Sequence, residues 1–267
     1  MTGLYIDRHN ESTGGMPLVC LHGWGMNLRV FDQLRAALPG QETWAIDLPG
    51  HGRSDWLPQR ADFVPQAEDI LAVLPPRCVL LGWSLGGKLA LELARRAPQV
   101  VRAMVLVSVS PRFAQAPDWP QGMSEDAVQT FTRTLEQDWR QTLNDFVWLQ
   151  IRGSRNAEAT QRRVRAALDD HGAPRPEALR ADMHLLATVD LRAAVSGLGQ
   201  PSLLIAGQND RVVPPEATRW LADTLPDSRF HQIERAAHAP FISHVEECVS
   251  LLRPFLLEQA TPHGIAT

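Results

Sequence analysis

Five short runs along the chain are almost continuously apolar: 17–22 (PLVCLH), 43–47 (TWAID), 78–82 (CVLLG), 103–108 (AMVLVS) and 202–207 (SLLIAG). None shows the in–out alternation of a strand with one wet face, so each is expected to be a strand buried on both faces. A sixth strand, less apolar, is expected at 229–234 (RFHQIE). Between and after these runs the apolar residues fall at helical spacing, over 27–38, 65–74, 86–97, 215–224 and 244–257. Short buried strands alternating with amphipathic helices predict an α/β fold: a mostly parallel central sheet with helices on both faces.

The alternation stops between about residues 111 and 187. That stretch is rich in Arg, Gln, Asp and Ala and reads as several helices with no strand. Pro111, Pro117 and Pro120 mark its entry, and Pro174 and Pro176 interrupt it. The simplest organisation is a core made of 1–110 and 188–258, a helical lid inserted at 111–187, and a flexible tail at 259–267. The bland reading of the insertion is a helical subdomain with a structural role alone.

Composition narrows the class. With 44% hydrophobic and 21% charged residues, the chain has the makeup of an ordinary globular protein. A net charge of −4 without a basic run argues against a nucleic-acid partner. No apolar run is long enough to span a membrane, and the first residues carry no apolar signal segment. Cys20, Cys78 and Cys248 have no metal-ligand spacing, and the first two fall inside strand-like runs. They are expected to be free thiols in a reducing, cytoplasmic setting.

One stretch carries chemistry. Gly82-Trp83-Ser84-Leu85-Gly86 fits G-x-S-x-G, follows an apolar strand and opens an apolar-faced helix. This is the strand–turn–helix context of a nucleophile elbow, where small residues let a sharp, strained turn pack closely. A serine needs a base, and the base an orienting acid. Asp210 lies just past the 202–207 run, and His238 follows the 229–234 run, so Ser84, Asp210 and His238 stand in the order Ser, acid, His at strand ends. Asp190 is the runner-up acid, with a turn role the better expectation for it. Oxyanion donors are expected from the backbone N–H of Leu85 and of Trp24, the latter in the loop His22-Gly23-Trp24 after the first run. His22, His51 and Ser54 are read as scaffold. Such chemistry needs no metal or organic cofactor.

Taken together, LHGWGMN, IDLPGHGRS, LGWSLGGKLA, TVDLR and AAHAPFISH resemble the α/β-hydrolases, and among them the pimeloyl-[acyl-carrier protein] methyl ester esterases of biotin synthesis. The resemblance spans about residues 15–257. It implies an α/β-hydrolase fold and hydrolysis of a methyl ester on a pimeloyl chain borne by acyl-carrier protein; a monomer is the default expectation for a lid-bearing esterase of this size. It implies Ser84 as nucleophile, His238 as base, Asp210 as its acid, and Trp24 and Leu85 at the oxyanion site. Phe146, Val147, Trp148, Leu149 and Gln150 match the family's acyl-contacting lid segment. Apolar side chains there suit an acyl channel, or simply pack the lid. An acidic carrier needs a basic dock. The lid arginines Arg155, Arg162, Arg163 and Arg165 are the candidates, although each singly also suits a solvated helix face. Asp145 stands where that family often has a basic residue. The same motifs fit a general short-chain carboxylesterase or another lid-bearing serine hydrolase. They also fit a non-catalytic binding protein on this fold.

Overall fold

The computed structural model describes residues 3–10 and 15–260. Seven strands form one sheet in the order β1-β3-β2-β4-β5-β6-β7. They are β1 (Ile6–His9), β2 (Leu18–Leu21), β3 (Thr43–Ile46), β4 (Cys78–Trp83), β5 (Val101–Val107), β6 (Ser202–Gly207) and β7 (Ser228–Ile233). All neighbours run parallel except β1, which pairs antiparallel with β3, Ile6 opposite Ile46. The buried strands β2, β4 and β6 have no exposed residue, as their unbroken apolar runs require.

The first strand was not expected. Two of its four residues are exposed and only Ile6 is apolar, so no apolar run announces it. It is fixed by tertiary contacts: the buried Arg35 guanidinium on helix α1 (Asp32–Ala36) donates to the Asp7 carboxylate at 2.8 Å and to Thr43 Oγ1 on β3 at 3.1 Å.

Helices α2 (Phe63–Leu71) and α3 (Leu85–Arg96) follow β3 and β4, and α9 (Pro215–Thr224) and α11 (Val245–Ala260) follow β6 and β7. Helix α11 carries residues 259 and 260, which the sequence had suggested for the tail; the rest of that expected tail, 261–267, lies outside the described residues. Between β5 and β6 the chain makes α4 (Glu125–Gln137), α5 (Trp139–Ile151), α6 (Ala157–His171), α7 (Pro176–Thr188) and the short α8 (Arg192–Val195). Helix α4 packs on α5 and α7, and α5 on α6. The helical insertion therefore stands where the alternation of strand and helix patterns fails.

Two of the contacts that tie this insertion to the core rest on buried polar side chains. At its stem, the buried Lys88 ammonium on α3 donates to the Pro111 carbonyl at 3.0 Å and the Val189 carbonyl at 2.9 Å, one on each side of the insertion. Burial pulls Lys88 down from 10.5 to about 7. A neutral amine still carries two hydrogens, enough for both carbonyls. Because the folded pKa is depressed, the folded state binds fewer protons than the unfolded chain between about pH 7 and 10.5, and this group's contribution to stability rises across that window. Lys88→Met is therefore expected to lower the melting temperature, with a gap from wild type that widens as pH rises from 7; melts at several pH values check this. Further along, His171 at the end of α6 meets the buried Asp47 carboxylate at 2.7 Å, and Asp47 also accepts Leu28 N–H and Arg53 N–H.

Candidate active site

The loops that leave the carboxyl ends of β2, β4, β6 and β7 carry Trp24, Ser84, Asp210 and His238. In an open parallel sheet, this edge is where ligands bind. Ser84 joins β4 to α3 with φ 55° and ψ −116°, a conformation that L-residues rarely adopt. Its side chain makes no capping bond to the helix, which leaves the hydroxyl free for other work. The strain persists because the turn is wedged against its neighbours: a Cβ at Gly86 would collide with the Leu21 carbonyl oxygen on β2. The Ser84 backbone N–H is fixed too, donating to Val107 O at 3.1 Å.

His238 is completely buried, and its Nδ1 lies 2.8 Å from Asp210 Oδ2. The other oxygen of Asp210 accepts the backbone N–H of Val212 and of Val213, both at 2.9 Å. Those donors aim the carboxylate, and with Oδ2 accepting from Nδ1–H the imidazole presents its lone pair on Nε2. Nε2 is buried, with no hydrogen-bond partner among the described residues. Trp83, next to Ser84, donates its indole N–H to the His238 carbonyl at 2.8 Å, and the two rings lie 5.6 Å apart. Trp83, the residue before Ser84, thus braces His238. Its signal in the sequence was a bulky tryptophan between Gly82 and Ser84, and the bond itself spans 155 positions.

The same loop is held from the side of the insertion. His238 N–H donates to Gln150 O, Ala237 N–H to Ser154 Oγ and Arg155 N–H to Arg235 O, while the Asn209 side chain donates to Gly153 O. The end of α5 and the turn after it are stapled to both the Asp210 loop and the His238 loop. Gly207 permits the approach, because a Cβ there would strike the Ala237 carbonyl oxygen. Gly207→Ala is expected to cost roughly 1–3 kcal/mol of stability and to lower ester turnover by shifting His238. Denaturant melts and kcat measured side by side check it.

His22 and His51 carry the loop around Trp24. His22 Nδ1 donates to Gly23 O at 2.8 Å and Nε2 accepts Leu48 N–H at 2.9 Å, so the ring is a neutral strut; burial holds it well below the usual histidine range. His51 Nε2 accepts Gly25 N–H at 3.3 Å. Ser54 donates to Asp47 O. The backbone N–H groups of Trp24 and Leu85 have no acceptor among the described residues. The Trp24 side chain points into the insertion, donating to Leu179 O at 2.9 Å and meeting Phe131 and Phe146 edge to face. Asp190 is bound by Arg112 and Arg192, which hold its carboxyl well below the usual range, and it belongs to the stem of the insertion.

An apolar cavity of about 400 Å³ opens beside Trp24, with Phe131, Phe146, Leu149 and Met183 in its wall. Of the segment 146–150, Phe146 and Leu149 line this cavity, and Val147 and Gln150 are buried. Trp148 does not line it: its side chain is 38% exposed on the other side of α5. Arg155, Arg162, Arg163 and Arg165 are all exposed; Arg163 donates to Gln33 at 2.9 Å.

The family model of the alpha/beta hydrolase fold matches residues 16–245. The chain belongs to the α/β-hydrolase family. Within it, the chain is 40% identical over 260 residues to the pimeloyl-[acyl-carrier protein] methyl ester esterase of Stenotrophomonas maltophilia K279a, covering 96% of this chain and 99% of that protein. It is 36% identical to the enzyme of the same name from Nitrosospira multiformis, covering 92% and 95%. Among solved structures, an esterase from Exiguobacterium antarcticum superposes with a TM-score of 0.85 at 24% identity, over 96% of each chain. A bromoperoxidase from Bacillus anthracis superposes equally well, TM-score 0.85, at 20% identity, over 96% of this chain and 95% of that one. At that distance the likeness is one of fold alone, since one α/β-hydrolase scaffold hosts many chemistries.

Proposed function

We propose that this α/β-hydrolase cleaves the methyl ester of pimeloyl-[acyl-carrier protein], releasing methanol and leaving the free carboxylate. The observation that carries the reading is the near full-length similarity, at 36–40% identity, to esterases of that name. The buried Asp210–His238 pair, together with the strained turn at Ser84, supports serine chemistry. The apolar cavity beside Trp24 supports an aliphatic substrate.

In this mechanism the ester carbonyl lies over Ser84, its oxygen turned to the N–H groups of Trp24 and Leu85. His238 Nε2 takes the hydroxyl proton as Oγ attacks, and a tetrahedral oxyanion forms. Its collapse breaks the bond to methoxide, which leaves as methanol with the proton from His238. Water then attacks the acyl-enzyme, giving its proton to His238. The carboxylate is released and Ser84 Oγ is reprotonated. Asp210 stays ionised throughout and stabilises the imidazolium.

The exposed arginines 155, 162, 163 and 165 form the proposed dock for the acidic carrier. We place the enzyme in the cytoplasm as a monomer. Three buried free thiols support a reducing compartment, and only four large apolar side chains are exposed among the described residues. Among those residues no helix is long and apolar enough to cross a membrane.

The test offers the purified protein pimeloyl-carrier methyl ester and, separately, short aryl esters, reading methanol release and the carrier's gel shift. Rapid demethylation of the carrier substrate is expected. Good cleavage of aryl esters with an untouched carrier substrate would replace this reading with a general carboxylesterase.

A further inference from the structure

Asp182 on α7 is fully buried, yet among the described residues no lysine or arginine pairs with it. One donor reaches it: the Gln66 side-chain amide on α2, at 2.8 Å from Oδ1. The two atoms flanking that bond, Asp182 Oδ2 and Gln66 Oε1, are both buried and both without a partner. Both are acceptors. An ionised carboxylate would leave two orphan acceptors and an uncompensated charge in the interior, a costly arrangement.

The nearest ring does not relieve it. His51 Nε2 stands 3.8 Å from Oδ2, but it already accepts Gly25 N–H, and His51 Nδ1 faces Pro49 O at 3.1 Å. Both nitrogens are used by a neutral ring, and burial pulls His51 down to about 4. His22, 5.2 Å from His51, is likewise a neutral strut. On α7 itself Arg180 turns outward to Glu136 of α4, and His184 is exposed. Among the described residues no lysine or arginine forms an ion pair with Asp182 from any element packed against it.

We propose that Asp182 is held as a neutral carboxylic acid, paired with the Gln66 carboxamide through two hydrogen bonds, and that this proton-dependent bolt between α7 and α2 positions the oxyanion loop. A single proton on Oδ2 supplies the donor that Gln66 Oε1 lacks. The link to the site is short. One turn before Asp182, Leu179 O on α7 holds the Trp24 indole, and beside Asp182, His51 holds Gly25 N–H. Asp182 is thus a positioning residue that never touches substrate, and its effect on turnover rests on the serine-esterase reading.

Burial raises its carboxyl to about 7. Loss of the proton leaves two acceptors facing each other and loosens α7 from the core. With a folded pKa above the unfolded one, the stabilisation is complete below about pH 4 and is lost as pH rises to about 7. Asparagine reproduces the protonated acid, with an N–H where the acid has its proton.

The experiment has two arms. In Ser84→Ala protein, which needs no activity, melting temperatures of the parent and of Asp182→Asn are compared from pH 4 to 9. The advantage of Asp182→Asn is expected to grow up to about pH 7 and then stay level. A constant difference overturns the proposal whatever the protein hydrolyses. With Ser84 present, kcat of the wild type is expected to fall through an alkaline limb, KM changing less. Asp182→Asn should lose that limb and retain most of the turnover, while Asp182→Ala loses at least tenfold in kcat. Parallel profiles for wild type and Asp182→Asn overturn it. If Asp182→Ala does not fold, infrared spectra of the intact protein read the same proton. A carboxylic-acid carbonyl band that titrates near pH 7 and is absent from Asp182→Asn supports the bolt, and its absence from the wild type refutes it.

Discussion

Ser84→Ala is expected to lower ester turnover by on the order of 10⁵–10⁶, leaving circular dichroism and melting cooperativity unchanged. The size follows from what the substitution removes. The base, its acid and the free N–H groups of Trp24 and Leu85 all stay in place, but no atom is left to form the acyl-enzyme. The residual rate would reflect binding and oxyanion stabilisation alone, about 10³–10⁴ over the uncatalysed reaction. The fold should tolerate the change, because the Ser84 hydroxyl caps no helix and alanine can be held at the same φ by the same neighbours. A burst experiment with an activated ester checks the point: wild type should release one equivalent of alcohol quickly, and the variant none. A variant that still turned over would move the nucleophile elsewhere.

The second large effect is expected for Asp210→Asn, a loss of about 10⁴ in kcat with little change in structure. Asn Oδ1 can still accept the N–H groups of Val212 and Val213. The amide nitrogen then takes the place of Oδ2 against His238 Nδ1, and it can only donate. His238 must turn its lone pair to Nδ1 and carry its proton on Nε2, where it cannot act as a base. The loss is one of tautomer rather than of position. The same kcat defect with a crystal structure superposable on the wild type would confirm this; a collapsed His238 loop would instead assign Asp210 a structural task.

The placement of the candidate catalytic residues at strand ends was legible because each combines a local signal with a place in the pattern. Strands buried on both faces write unbroken apolar runs, and Ser84, Asp210 and His238 each follow one such run or its weaker neighbour. What depended on distant partners was not legible. Strand β1 carries one apolar residue and is held by Arg35. Trp148 is apolar like Phe146 and Leu149, but composition does not say which side of α5 it takes. Asp182 reads as an ordinary polar residue of α7, since its partner Gln66 lies 116 positions away. Lys88 and Glu92 are the two charged residues in a helix whose residues 85–94 are all buried, and only the folded stem shows which carbonyls Lys88 serves.

The stapling of residues 150–155 to the loops of Asp210 and His238 has a consequence for recombination among relatives. A chimaera that swaps the insertion at residues 111 and 187 would import a foreign α5–α6 turn beneath the host's base. It would break up to four hydrogen bonds that set where His238 sits. The unit of exchange is the insertion together with residues 207–210 and 235–238. Specificity and catalytic competence are therefore inherited together in this hydrolase, and a graft that respects only the visible boundary of the helices would transfer the first while damaging the second.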